Sequence, residues 1–211
     1  MIIDLKQIRS LEGTDFVFST PDNPNLYTAQ VRFNKLLTNI SLFQNDEPVL
    51  SLSYNINDIP RSFIQSLKME GALYCINNPH GEACGEISYK TVRSLFRGYS
   101  YNQIIFNSEV YVSYTVGMGK KGIFECIYSG NQLIAMIEKH PVVYNNLDTY
   151  KIYIKDNKHM DMVCLFAVYI DHTTSSNYTS SSCKSRTATY EYTLRKEIKD
   201  KYDPNFKELC K

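Results

Sequence analysis

Apolar and polar positions alternate along most of the chain in short runs rich in β-branched and aromatic residues. Pro, Gly, Asn and Asp separate these runs, which is typical of strands joined by turns. The predicted strands are Leu26–Asn34, Leu36–Gln44, Glu47–Ser53, Gly71–Asn77, Glu82–Tyr89, Glu109–Val116, Gly122–Ser129, Gln132–Glu138 and Thr149–Lys155. Turns recur about every eight to twelve residues, which predicts a β-sandwich or barrel. Hairpin connections in sequence argue against a parallel α/β sheet.

Two of these strands predict which side chains share a face. In the strand 109–116, every second residue from Val110 to Val116 lies on one face, and the residues between them lie on the other. In the strand 149–155, we expect Tyr150, Ile152 and Ile154 to point inward. Gly130-Asn131 predicts a tight hairpin between two strands.

Two segments interrupt the β pattern. Residues 58–70 predict a helix, with Asp58 as its cap, Pro60 in its first turn and Gly71 at its end. The segment Met160–Asp171 is apolar on all sides, which predicts a helix buried on every side. The alternative for this second segment is a central strand, since several of its residues are β-branched. Its nine consecutive apolar residues favour the helix, which Asp161 can cap.

The composition changes after His172. Thr173–Thr189 is rich in Ser and Thr and reads as a linker. An amphipathic tail helix, ended by Asp203-Pro204, is then predicted from apolar residues spaced by four: Tyr190, Leu194, Ile198 and Tyr202. We therefore expect a mainly β domain over residues 1–172 and a linker with a tail helix over residues 173–211.

The strands followed by one short, wholly apolar helix resemble the tubby-like superfamily, and within it the LURP-one-related proteins. The matching helix is Asp161–Asp171, which opens with Asp and continues with small and aliphatic residues as in family members. The hairpin Gly122–Tyr128 and Leu133–Ile137 is also similar to the family pattern. The resemblance covers residues 10–172 and implies a mainly β fold, a closed antiparallel twelve-stranded barrel around a central hydrophobic C-terminal helix.

The resemblance also implies a non-catalytic scaffold. Animal tubby proteins bind phosphoinositide headgroups through basic residues on the barrel wall, but this sequence has no counterpart of that basic motif, so no lipid-binding residue carries over. Phe166 and Tyr169 are bulky for a barrel axis, which predicts a wider barrel or a shifted helix. The tail beyond Asp171 is longer than the family needs.

Composition narrows the function classes. The 23 basic and 22 acidic residues are balanced, so no overall positive field points to nucleic acid. The longest apolar stretch, Met162–Ile170, is shorter than the ~20 residues of a membrane-spanning helix, and the N-terminus does not resemble a signal peptide. We therefore expect a cytoplasmic protein with free thiols at its six cysteines. Richness in Asn, Lys, Ile and Tyr suggests a bacterial source with AT-rich DNA.

Three motifs carry candidate chemistry. Gly117–Gly122 satisfies G-x-G-x-x-G, but a strand follows it where a dinucleotide site requires a helix, so we expect a β-turn. Lys120 and Lys121 at its tip are candidates for an anionic partner. Three further residues could approach each other and bind zinc, but a fourth ligand is lacking, so buried thiols and a turn histidine are expected; they are Cys75, His80 and Cys84.

A Cys–His nucleophile pair is the third motif. Cys164 could pair with His159 or His172, but its apolar surroundings disfavour a thiolate. The 17 tyrosines and ten phenylalanines lack a basic groove and predict barrel walls and core, not a nucleic-acid surface. No catalytic, cofactor-binding or metal-binding residue is therefore assigned.

Two functions remain open. The first is a non-catalytic binding or scaffold protein, and the second is an enzyme whose polar pocket the sequence does not reveal. A convergent polar cluster would distinguish them. The tail from residue 184 carries eight basic and five acidic residues. It predicts either docking on the barrel's outer wall or docking on a partner protein or anionic lipid headgroups, with Lys196, Lys199 and Lys201 near the anions.

Overall fold

The computed structural model describes residues 1–9, 13–33, 37–55, 73–92, 98–175 and 186–211. The helix predicted over residues 58–70, with Asp58, Pro60 and Gly71, lies outside the described residues, as does Cys183.

Fourteen strands occupy the described residues. Those of the first half are β1 (Ile2–Arg9), β2 (Thr14–Ser19), β3 (Tyr27–Phe33), β4 (Leu37–Gln44), β5 (Glu47–Asn55), β6 (Leu73–Asn77) and β7 (Ala83–Val92). Those of the second half are β8 (Tyr99–Phe106), β9 (Glu109–Gly117), β10 (Ile123–Ser129), β11 (Gln132–Lys139), β12 (Val142–Tyr144), β13 (Thr149–Ile154) and β14 (Arg186–Ala188).

Twelve of these strands close into one antiparallel barrel. Each strand from β1 to β10 pairs with the next, and β13 pairs with both β11 and β1, which joins the two ends of the sheet. Leu5 stands opposite Tyr150 across this closure. Because closure leaves no free edge, every barrel strand has two hydrogen-bonded neighbours. The barrel is confirmed, whereas β12 lies outside it and pairs with β14.

The barrel interior follows the strand alternation. The inward positions are mostly aliphatic or aromatic, and the expected inward set of Tyr150, Ile152 and Ile154 is buried in the main core. In β9, Tyr111 and Ser113 are buried, while on the other face Val110 is exposed at the strand's start and Val116 is buried in a second cluster outside the main core. The period of two therefore predicts the two faces of this strand, and the closure of the barrel decides which face is inside.

The predicted apolar helix is present as Met160–Ile170 and is buried in the main core. We call it the central helix. Phe166 and Tyr169 fit inside twelve strands, with their rings stacked 5.6 Å apart. The Tyr169 hydroxyl donates a hydrogen bond to Asn102 of β8 at 3.3 Å, and its ring meets Tyr74 of β6 edge-on. These contacts fix the helix against the wall.

Asp161 does not cap the central helix, contrary to the prediction. A 3₁₀ turn, Asn157–His159, leads into the helix, so His159 occupies the cap position and its side chain makes no capping bond. Asp161 lies in the first turn instead, where it accepts a 2.5 Å hydrogen bond from the Tyr27 hydroxyl. A carboxylate in a first helical turn also interacts favourably with the helix dipole. At the other end, a π-helical turn, Asp171–Ser175, continues the chain.

The tail packs on the outside of the barrel. Its helix begins further along the chain than the four-residue spacing from Tyr190 predicts. Its helix spans Lys196–Lys199, and a 3₁₀ segment spans Pro204–Cys210. Before them, β14 forms within the predicted linker. Tyr190 and Leu194 are not helical and are exposed, Leu194 by 88%. A second apolar cluster forms between tail and wall; it contains Val116, Phe124, Cys126, Met136, Tyr153, Ile198, Phe206 and Cys210.

Candidate functional site

A pocket of about 400 Å³ opens at the end of the barrel where the central helix ends. Its walls come from β9, β10, β11 and β13, from the residues that follow the central helix, and from the β12–β14 ribbon. Apolar and polar side chains line it together; they are Thr115, Ile123, Glu125, Ile137, Lys139, His140, Pro141, Val143, Asp148, Tyr150, Ile170, Thr173, Thr174, Thr187, Thr189 and Glu191. Barrel mouths of this size are common ligand sites.

Glu125 is a buried carboxyl that β10 contributes to the pocket wall. It faces inward, between Ile123 and Ile127 in the strand alternation, and is 4% exposed. Its Oε2 accepts a 2.9 Å hydrogen bond from the Ser113 hydroxyl. Burial raises the pKa of Glu125 to about 7, a rise that the hydroxyls of Thr115 and Ser113 reduce and the charge of Glu191 increases. A proton on this carboxyl is therefore gained or lost near neutral pH.

A second polar group surrounds the end of the central helix. The ammonium of Lys139 lies 3.0 Å from Oδ1 of the buried Asp148 and 5.6 Å from the centre of the Tyr150 ring. The Tyr150 hydroxyl donates a 2.7 Å hydrogen bond to Asp171. Burial raises the pKa of Asp171, the Tyr150 hydroxyl lowers it, and the neighbouring Asp148 raises it. Asp148 and Asp171 thus form a buried acidic pair whose charge Lys139 partly offsets.

The tail supplies one wall of the pocket. Thr187, Thr189 and Glu191 line it from β14 and the residues that follow. Their backbone is held to the turn after β9, because Gly119 N–H donates to the Glu191 carbonyl at 2.7 Å. A methyl group added at Gly117 would lie 2.7 Å from the carbonyl atoms of Glu191. The absence of a side chain at Gly117 therefore lets the tail approach this closely.

The G-x-G-x-x-G motif is a turn between two strands, as predicted. Gly119 and Gly122 have φ angles of 62° and 117°, which side chains disfavour. Lys120 and Lys121 at the tip are exposed. The glycines thus serve the turn and the docking of the tail.

The residues of the other candidate motifs are not among those that line this pocket. His80 is exposed in the turn between β6 and β7, and Cys84 is half-buried. Among the residues that the structure describes, no three His, Cys, Asp or Glu side chains form a group that could hold a metal ion. Cys164 is fully buried, and burial raises the pKa of its thiol well above the ordinary range. His172 lies eight residues further, about 12 Å along a helix axis.

The basic residues of the tail contact tyrosines of the outer wall. The Lys201 ammonium lies 5.0 Å from the Tyr114 ring centre and 5.2 Å from that of Tyr128. The Lys207 ammonium lies 2.6 Å from Glu138. Such cation–π contacts contribute roughly 0.5–1 kcal/mol each at exposed sites. Docking on the outer wall is thus the arrangement that this structure contains, and Lys196 and Lys199 remain exposed.

The pocket carboxyls were not assigned from the sequence, although one of them carried a signal. In Gly122–Ser129, the charged Glu125 occupies an inward position between two isoleucines. A charge at a core-facing position of a strand marks a buried polar site. Asp148 and Asp171 lie beyond the ends of β13 and the central helix, where carboxyls are common, so only folding distinguishes them.

No protein-family model matches the chain, and no curated protein or solved structure is significantly similar to it. Within the described ranges, none of the helices combines the length and the apolar character needed to cross a bilayer.

Proposed function

We propose that the chain is a tubby-like barrel that acts in the cytoplasm as a non-catalytic binding or scaffold protein, with its ligand in the pocket at the barrel end. The observation that carries this proposal is the pocket itself, about 400 Å³ in volume and lined by both apolar and polar side chains. A few fixed polar groups within an apolar wall are typical of small-molecule sites.

The hydrogen bonding of the pocket supports binding more than catalysis. Its acidic groups are already held by neighbours: Asp148 by Lys139, Asp171 by Tyr150 and Glu125 by Ser113. Side chains held in this way present a fixed surface, which reduces the entropy lost when a ligand binds. The tubby-like part of the proposal is supported by the twelve closed strands and the buried helix.

An enzyme is the second candidate, and one observation favours it. Burial and the neighbouring Asp148 raise the pKa of Asp171 above its ordinary range, although the hydrogen bond from the Tyr150 hydroxyl lowers it. Two neighbouring buried carboxyls are an arrangement used in general acid–base catalysis. These carboxyls are the part of the pocket that favours an enzyme, and a turnover assay distinguishes the two functions.

The test is a fragment screen by ligand-observed NMR on the full chain and on two variants. Thr189→Trp places a large ring at the pocket wall, while Leu194→Trp places the same ring on an exposed tail position. We expect fragments that bind the unmodified protein and Leu194→Trp but not Thr189→Trp. Binding that ignores Thr189→Trp, or no binding at all, would contradict the proposal.

The same fragments distinguish binding from catalysis when Asp171→Asn is added to the set of proteins. After long incubation, each bound fragment is recovered and its mass is measured by mass spectrometry. We expect the mass to be unchanged. If the unmodified protein converts a fragment and Asp171→Asn does not, the result favours an enzymatic function.

A further inference from the structure

The charges around the pocket are predominantly negative. Glu125, Asp148 and Glu191 line it, and Asp171 lies behind Tyr150. Of the lining cations, Lys139 is engaged with Asp148. The His140 ring nitrogen contacts the backbone of Val142.

The surroundings of Glu125 indicate the charge of the ligand. It is 96% removed from solvent and lines the pocket, yet no lysine or arginine in the described part of the chain forms an ion pair with it. Its partners are the neutral hydroxyls of Ser113 and Thr115. A buried carboxylate without a cation is unfavourable. A cationic group in the pocket would remove this cost.

The other side chains that line the pocket indicate which kind of cation fits it. Ile123, Ile137, Val143 and Ile170 offer an apolar surface next to the carboxyls. The hydroxyls of Thr115 and Thr189 can accept further N–H donors. An alkyl chain with a terminal ammonium matches this combination, because its chain contacts the isoleucines and its three N–H groups contact oxygen acceptors.

We propose that the pocket binds a primary alkylamine, with its ammonium between Glu125 of the barrel and Glu191 of the tail. This inference rests on the proposed function and names its ligand class. Glu191 is anchored by the Gly119 N–H at 2.7 Å, and the next backbone bond joins Thr193 N–H to the Gly117 carbonyl at 2.9 Å. The amine therefore bridges barrel and tail and holds the tail in its docked position.

The experiment compares three probes that share a four-carbon chain: butan-1-amine, butan-1-ol and butanoate. Binding to the full chain is measured by NMR titration at pH 7.5. We expect the amine to bind and to shift signals of residues 187–193, while the alcohol binds more weakly and the anion does not bind. Glu125→Gln should lower the affinity for the amine about 30-fold or more, which is the effect of removing one member of a buried charge pair.

Two further variants provide the controls. Glu191→Gln should also lower the affinity for the amine. Glu197→Gln should leave that affinity unchanged, because Glu197 is an exposed tail residue paired with Arg195. If Glu125→Gln fails to fold, Glu191→Gln alone decides the result, because Glu191 is exposed.

The outcomes separate the two proposals. Pocket binding of the alcohol or the anion in preference to the amine overturns the ligand class and leaves the binding function standing. Equal affinity of the amine for the unmodified protein and Glu191→Gln overturns the bridging geometry. Failure of all three probes, together with a fragment screen without pocket binders, overturns both.

Discussion

Replacing Glu125 by Gln should stabilise the protein above neutral pH. The pKa of Glu125 is raised from 4.5 to about 7 because the carboxyl is buried. Since the folded state binds this proton more tightly, the group's contribution to stability is complete below pH 4.5 and is lost as the pH rises through about 7. The loss amounts to about 3 kcal/mol at pH 8, a substantial part of a typical unfolding free energy of about 5–15 kcal/mol.

Gln has the shape of the protonated carboxyl and no charge, so the variant avoids that loss. We expect nearly equal unfolding free energies for the two proteins at pH 4.5, and an advantage of about 3 kcal/mol for Glu125→Gln at pH 8. Urea denaturation at both pH values measures the difference. Other titrating groups, such as Asp171, contribute equally to both proteins and cancel.

The matched control is Glu47→Gln, an exposed position on β5, which should give the same difference from the unmodified protein at both pH values. The reasoning is refuted if Glu125→Gln is less stable at pH 8, or if its advantage is the same at pH 4.5 and pH 8. Either result would mean that Glu125 is ionised at little cost in the folded protein.

Three further predictions concern the core, the tail and their contact. Phe166→Asp should prevent folding, because an unpaired buried charge costs several kcal/mol, while Leu194→Asp should express as a soluble protein with an unchanged melting temperature. Phe206→Ala should lower the unfolding free energy by about 3 kcal/mol in urea denaturation, and the exposed Leu209→Ala, three residues later, should change it little. Gly117→Ala should push the tail backbone off the barrel, so limited proteolysis should cleave near residues 186–195 faster while the barrel's circular dichroism stays the same; unchanged cleavage would contradict the close approach.

Local patterns predicted much of the architecture. Strand alternation identified most barrel strands and the inward set of β13, and the lack of any polar face identified the central helix. These features depend on which side chains avoid water, and residues close in sequence carry that information. The turn at Gly117–Gly122 was predictable for the same reason, since a strand directly follows the glycines.

The tail shows where a local pattern is insufficient. A spacing of four from Tyr190 to Tyr202 predicts one helix, yet the helix is limited to Lys196–Lys199. Residues 191–193 extend along the turn after β9 instead, with backbone bonds to Gly117 and Gly119. Backbone pairing with a distant segment outweighs a weak helical preference. The residues next to the tail in sequence do not indicate which segment it pairs with.

Local patterns predicted a β-sandwich or barrel and one buried apolar helix, and the family resemblance added the closed barrel around that helix. Folding alone brings Glu125, Asp148 and Asp171 together at one end of the barrel, beside Glu191 of the tail. The physical reason is that burial by strands, helix and tail together sets the environment of each carboxyl. Burial raises the pKa of Glu125, and that burial exists only after the sheet has closed and the tail has docked.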